Sequence, residues 1–424
     1  MKSNTVINKC IFLLGIFTTI QLLEFLGITA FNILLMMTAI LGLIIKWNGM
    51  KIDSYFIICV ASTIMTLMHS TVATNIGEGY RRGTLMGAVL YIFVLIIYLL
   101  MNTNYKYAMG LLKGFKISCY MTLIWCYLQV LFFYVFKLDL NAIFFGNILR
   151  IAGAKGAYND GSLIPSGFYS HRAILIPSIL FLFFSTSNIY VIGAIILIAL
   201  MSKSVTIILG LSVAIGLRIC YMAGLAIQKN KCSRKKMLIC LIIILTVCVV
   251  FLLKYETFSR LFSYVIIRIT DSTSNKADNS SVVHFLYYKN FYEILKKENL
   301  FDILVGTGFG TSGQHYTWFN GQYAWMASWV VESDYINIIL GQGVFGFLLW
   351  LYMIIKASVK KNGKLIIENV MWIMVILFMG VMYNIQFNWF IVVELAILTA
   401  TKNNINVFDW TGKKTGRSKD NLEK

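Results

Sequence analysis

Charge is what this sequence has least of. Only 13% of its 424 residues are Asp, Glu, Lys or Arg, and 58% are hydrophobic. Soluble domains carry roughly 25% charged residues, so a water-soluble globule is excluded. Proline is nearly missing as well: Pro165 and Pro177 are the only two, and no proline-rich linker divides the chain. The motifs of metal and nucleotide chemistry are also lacking. His69, His171, His284 and His315 form neither HExxH nor any compact ligand set, and no DxD pair is present, which argues against a metal-dependent transferase using nucleotide sugars. There is no P-loop and no GxSxG elbow, and "GTGFG" (306–310) follows no βαβ pattern.

What the chain does have is long apolar runs. Twelve lie near 10–23, 28–45, 52–69, 83–101, 115–136, 173–186, 189–201, 205–222, 237–253, 335–355, 370–384 and 387–401. Each approaches the ~20 residues that cross ~30 Å of hydrocarbon. The expected fold is an all-α polytopic membrane protein, one integral domain over 1–424 with about twelve transmembrane helices. Glu24–Gly27 joins the first two runs as a tight hairpin. The first run lacks a small-residue cleavage site and reads as a retained span.

The formal charge of +19 raises the question of nucleic acid, and its distribution answers for the membrane. An even number of spans puts both termini on one side. With that side cytoplasmic, 23 of the 37 basic residues lie inside, including those of the tail 402–424. Of the acidic residues, 6 fall inside and 12 outside. This is the positive-inside pattern. Seven of the eight cysteines fall in spans and Cys232 in a cytoplasmic loop, so neither a disulfide framework nor a thiolate metal site is expected, and no cofactor is implied.

Two outward connections are long, 137–172 and 254–334, and both are expected to carry short helices. Long loops in an otherwise economical fold tend to hold function. In the second, Val283, Leu286 or Tyr287, Phe291, and Ile294 or Leu295 recur at helical spacing, as in an amphipathic helix on the outer interface. The glycines of "GTGFGTSG" break it. The aromatic stretch "QHYTWFNGQYAWMASWVV" follows, with Trp318 and Trp325, and reads either as an interfacial belt or as a platform for sugar rings.

Basic residues on the outward side are informative because topology does not ask for them there. They include Arg81, Arg82, Arg150, Lys155, Arg172 beside His171, Arg260 and Arg268. Singly each reads as a lipid-phosphate contact, while together they suit one anionic ligand. Glu332 and Asp334 stand where the second long loop becomes the next span. Ser333 or Asp334 suits an N-cap, and a carboxylate here also suits catalysis or acceptor binding.

Three features occur in order: "PSGFYSHRAILIP" (165–177) opening a span, "GTGFG" late in the second loop, and "ESDYINIILGQGVFG" (332–346) entering the next helix. Together they resemble the O-antigen polymerases of the Wzy type and the related O-antigen ligases. The ligases read His-Asn and then Gly-x-x-Gly at the spacing seen from Glu332 to Gly343 and Gly346. Glu332 stands in the ligases' histidine position and Ser333 in their asparagine position, which favours the polymerase. His284 stands where the family often has an arginine, and Arg150 with Gly161 matches a polymerase loop spacing.

The resemblance implies glycosyl transfer without metal at the outer face of a bacterial inner membrane. A growing glycan leaves undecaprenyl diphosphate for a sugar hydroxyl of an incoming lipid-linked repeat. The implied roles are Arg82, Arg150, Arg172, Arg268 and His284 on the diphosphate, Glu332 or His315 as base, and His171, Asp334, Trp318 and Trp325 on the acceptor sugar. The implied partners are lipid-linked oligosaccharides, membrane lipids, a chain-length regulator and a flippase. Two alternatives are an O-antigen ligase acting on lipid A core and a flippase or other transporter.

Overall fold

Apolar segments surrounded by hydrocarbon must satisfy every backbone N–H and C=O within themselves, which makes them helices. A computed structural model describes residues 2–20, 24–25, 28–46, 49–72, 78–149, 157–159, 162–168, 175–202, 205–228, 280–319, 333–360, 362–381, 398–399 and 407–408. The described helices are α1 (Lys2–Phe17), α2 (Ala30–Lys46), α3 (Ser54–Val72), α4 (Glu78–Thr103), α5 (Tyr105–Phe136), α6 (Leu175–Ser185), α7 (Ile189–Met201) and α8 (Val205–Gln228). They continue with α9 (Ser280–Lys297), α10 (Leu300–Val305), α11 (Ser312–Phe319), α12 (Asp334–Ser358) and α13 (Ile367–Gly380). The protein is thus mostly helical. Among the described residues, five helices, α3, α4, α5, α8 and α12, are long and apolar enough to cross a membrane.

Two departures from pure helix occur at the turns. β1 (Glu24–Phe25) and β2 (Ile28–Thr29) pair antiparallel at the first hairpin. In the first long loop a π-helix over Ala142–Ile148 is followed by a second antiparallel pair, β3 (Ala157–Asn159) and β4 (Ser162–Ile164). These pairs are too short to form a layer, and they correct the all-α expectation only locally.

Helix α5 begins ten residues earlier than the apolar run at 115 suggests. Asn104 caps it, its side chain accepting from the Lys106 backbone at 2.9 Å, and only that residue separates α5 from α4. Lys106 and Lys113 therefore sit on the first turns of α5, ahead of the run expected from 115. Hydropathy misses this start because the lysines dilute it, whereas a helix tolerates lysine readily. The 32 residues span about 48 Å. Lys137, left-handed at φ 56°, ends the helix where the first long loop was expected to begin.

One core cluster draws on α1 to α8, α12 and α13. Tyr98, Phe115, Phe181, Phe184 and Trp372 are buried there. Phe408 is buried with them and stacks on Trp372 at 5.8 Å. Arg218 of α8 donates to the Phe183 and Thr186 carbonyls, both at 2.9 Å, and so covers the C-terminal end of α6.

Candidate functional site

A break in α12 organises the second long loop. Gly343 has φ 71° and ψ −178°, a conformation open essentially to glycine alone. It interrupts the helical ladder and frees the carbonyls of Leu340 and Gly341, which need partners because they are buried. The glycine turn supplies them: Thr307 N–H donates to Leu340 at 3.0 Å and Gly308 N–H to Gly341 at 2.9 Å. The turn comes this close because Gly306, at φ 80°, has no side chain; a Cβ there would lie 2.4 Å from the Gly343 nitrogen. On its other side Thr66 of α3 donates to the Val305 carbonyl at 2.8 Å and Thr84 of α4 to the Phe309 carbonyl at 3.2 Å. The "GTGFG" and Gly-x-x-Gly stretches, far apart in sequence, are therefore one structural unit.

His315 stands over this unit. The sequence "TSGQHY" restarts a helix after the glycines, and α11 carries the imidazole inward, leaving the residue 3% exposed. Its Nδ1 lies 2.7 Å from Glu298 Oε1 and its Nε2 2.7 Å from Thr307 Oγ1. A carboxylate only accepts, so Nδ1 carries the proton, and in the neutral ring Nε2 accepts from the Thr307 hydroxyl. Burial pushes the Glu298 carboxyl up, but the hydrogen bond and charge of His315 outweigh it and hold it below its ordinary value. Asp302 in turn meets His69 of α3, whose ring edge packs on Phe301.

The mouth of α12 is built next to this cluster. Ser333 takes the N-cap place with extended backbone, but its side chain makes no capping bond. Its Oγ lies 2.7 Å from the Tyr288 hydroxyl, which donates to the Val381 carbonyl at 2.5 Å. Asp334 opens the helix, where the dipole favours an acid, and is buried against the end of α13. Asn337, one turn on, accepts from Ser312 Oγ at 2.7 Å. The apolar face expected on α9 is present, and Tyr287, Phe291, Ile294 and Leu295 pack on Tyr316, Ile336 and Leu340. Protein covers it where sequence alone suggested the membrane interface, because α11 and α12 present matching apolar surfaces.

An apolar groove of about 540 Å³ runs between α3 and α12. Tyr55, Ile58, Met65, Leu348 and Tyr352 line it, together with Val305, which adjoins the glycine turn. Ser54 and Met65, both on its wall, are eleven residues apart, about 16 Å along α3.

Of the residues singled out in the sequence, His315 and Asp334 are described in full, on α11 and α12. Arg82, His284 and Trp318 lie on α4, α9 and α11, with side chains outside the described residues. Arg150, His171, Arg172, Arg268, Trp325 and Glu332 lie outside them altogether. Sequence reading missed Glu298, Asp302 and Thr307. The one available signal was Asn299 ahead of Asp302, a helix start that places an acid inward, and Asn299 does accept from the Asp302 N–H at 2.9 Å. Among the described residues no group of three or more His, Cys, Asp or Glu side chains is placed to hold a metal ion. Comparison with protein-family models, curated proteins and solved structures returns no match to this chain.

Proposed function

We propose that this chain is a metal-independent membrane glycosyltransferase that polymerises lipid-linked oligosaccharide repeat units of a bacterial surface polysaccharide. It moves a growing glycan from undecaprenyl diphosphate to a sugar hydroxyl of an incoming repeat at the periplasmic face of the inner membrane. Twelve spans with both termini in the cytoplasm belong to this reading. One observation carries it: Val305 lines the apolar groove between α3 and α12, and two residues on, Thr307 touches an imidazole backed by a carboxylate. An apolar groove next to a proton-accepting group suits an amphiphile with a reactive head.

Diphosphate leaves without being protonated, so the protein's work is to stabilise charge and orient the acceptor. Arg82, Arg150, Arg172 and Arg268, with His284, hold the diphosphate, each charged hydrogen bond contributing roughly 1.5–3 kcal/mol. Glu332 or His315 takes the hydroxyl proton; behind His315, Glu298 stabilises the imidazolium that forms. His171, Asp334, Trp318 and Trp325 receive the acceptor sugar.

The test is complementation of a deletion strain, read as a glycan ladder. Wild type restores multi-repeat chains, while Arg172→Ala and Glu332→Gln insert normally and leave single repeats. A multi-repeat ladder that survives the deletion sinks the reading. Loss of all glycan from the lipid core indicates a ligase, and repeats trapped on the cytoplasmic face indicate a flippase.

A further inference from the structure

The apolar face of α9 is taken by α11 and α12, yet the corner where α9 gives way to α10 leaves large apolar side chains in the open. Leu300 is 72% exposed, Tyr292 64% and Phe301 50%. Asn299 fixes this arrangement. Its side chain caps α10 by accepting from the Asp302 N–H at 2.9 Å, which makes Leu300 and Phe301 the first two residues of that helix. Asp302 and Val305 are buried on the inner side, so Leu300 and Phe301 are left on the outer one.

This corner is held against the end of a membrane-spanning helix. Thr66 of α3 donates to the Val305 carbonyl at 2.8 Å, and the His69 ring meets the Phe301 ring edge-on at 4.8 Å. The apolar window of α3 ends at Thr71, two residues or about 3 Å of rise beyond His69. Ile64, Met65 and Met68 on this stretch of α3 are exposed, as suits side chains that face lipid, and Val305 lines the apolar groove with Met65. Leu300 and Phe301 therefore continue the lipid-facing surface of α3 at the level where its span ends.

Lysine dominates the outer face of α9. Lys289, Glu293, Lys296 and Lys297 are all exposed there. Glu293 pairs with Lys296 at 2.9 Å, both side chains being half exposed, and the face keeps a positive excess. Lys296 Nζ also lies 4.2 Å from the centre of the Tyr292 ring. Along the chain, an aromatic with a lysine over it is followed by bare leucine and phenylalanine. That order matches a bilayer, which offers headgroup and then acyl chain.

We propose that the corner of α9 and α10 is an anchor for anionic phospholipid. Leu300 and Phe301 enter the edge of the acyl-chain region, and Lys289, Lys296 and Lys297 meet the lipid phosphates. A second copy of this chain is a poorer occupant, because a twofold contact would set these lysines against their own counterparts. Glu298, which meets His315, follows Lys297 directly, so the anchor holds that pair close to the headgroups. The anchor does not depend on which reaction the chain performs.

The test is photo-crosslinking of the full chain in nanodiscs made of equal parts phosphatidylcholine and phosphatidylglycerol. Leu300→benzoylphenylalanine and Phe301→benzoylphenylalanine should each give lipid adducts by mass spectrometry. Phosphatidylglycerol should be enriched among them at least about fivefold, the factor that one lysine near an anionic surface supplies. The same probe at Met37, exposed on α2, a helix that carries none of these lysines, should give the bulk ratio. Replacing Lys289, Lys296 and Lys297 together by Gln should bring the adducts at 300 back to the bulk ratio. Salt at about 1 M reads the same charge without those substitutions and should remove most of the enrichment. Adducts to protein in place of lipid, lipid adducts at the bulk ratio, or an enrichment that survives the glutamine variant or high salt would each overturn the proposal.

Discussion

The backbone carbonyl of Leu304 occupies the place where a side chain on Gly343 would begin: a Cβ there would lie 2.2 Å from the oxygen. Position 343 also has a backbone conformation that costs other residues about 1–3 kcal/mol. Gly343→Ala is therefore expected to destabilise the protein by at least about 2 kcal/mol and to release the glycine turn from α12. Gly310 is the control. It also has positive φ, 77°, but nothing lies within 4 Å of its Cβ position, so Gly310→Ala should cost about 1 kcal/mol. Unfolding midpoints in detergent micelles compare the two, and equal losses would show that the close approach has no energetic weight.

The Glu298 carboxyl gives stability a pH dependence whose sign is fixed by its environment. Its folded-state value lies below the ordinary 4.5 despite burial, through His315. A depressed carboxyl contributes stability that is fully present above its unfolded value and is lost as pH falls through the folded one. Wild type should therefore lose unfolding temperature more steeply than Glu298→Gln as pH is lowered from 5 to 3. Parallel curves in a pH series would contradict this.

Tyr288 ties α9 to two helix ends with one hydroxyl, donating to the Val381 carbonyl and accepting from Ser333. Tyr288→Phe keeps the ring and removes both bonds, with an expected loss of about 1–2 kcal/mol. The same unfolding assay reads it, and a neutral outcome would mean water replaces the phenol without cost.

At the other end of α12, Lys356 reaches Asp53 at 2.9 Å with the Tyr98 hydroxyl between them. The two side chains are 22% and 36% exposed, so screening limits the pair. A double-mutant cycle of Asp53→Asn and Lys356→Met should give a coupling of no more than about 1 kcal/mol, weakening with added salt. A larger, salt-independent coupling would mean the pair is shielded from water.

Much of the candidate site was legible as separate fragments. The glycine turn, the acidic start of α12 and the helix over 283–295 all stand out in sequence, because glycine runs, abrupt changes in polarity and 3.6-residue periodicity are local signals. Their assembly was not legible. Nothing local in "KKENL" marks Glu298 as the partner of His315, and nothing in "MTLMHST" marks His69 as the partner of Asp302, 233 residues away. The start of α5 was hidden for a different reason: lysines lower hydropathy without stopping a helix.

Composition alone decided that this is a membrane protein built of helices, since charge too sparse to coat a globule leaves the bilayer as the solvent and the helix as the structure that satisfies the backbone in it. The tertiary structure decided which fragments meet. The bond lost from α12 at Gly343 is regained from a turn on another segment, and the face of α9 is covered by protein. Partnerships of this kind depend on shapes and hydrogen-bonding needs that arise only after each segment has folded, so they leave no trace in the sequence nearby.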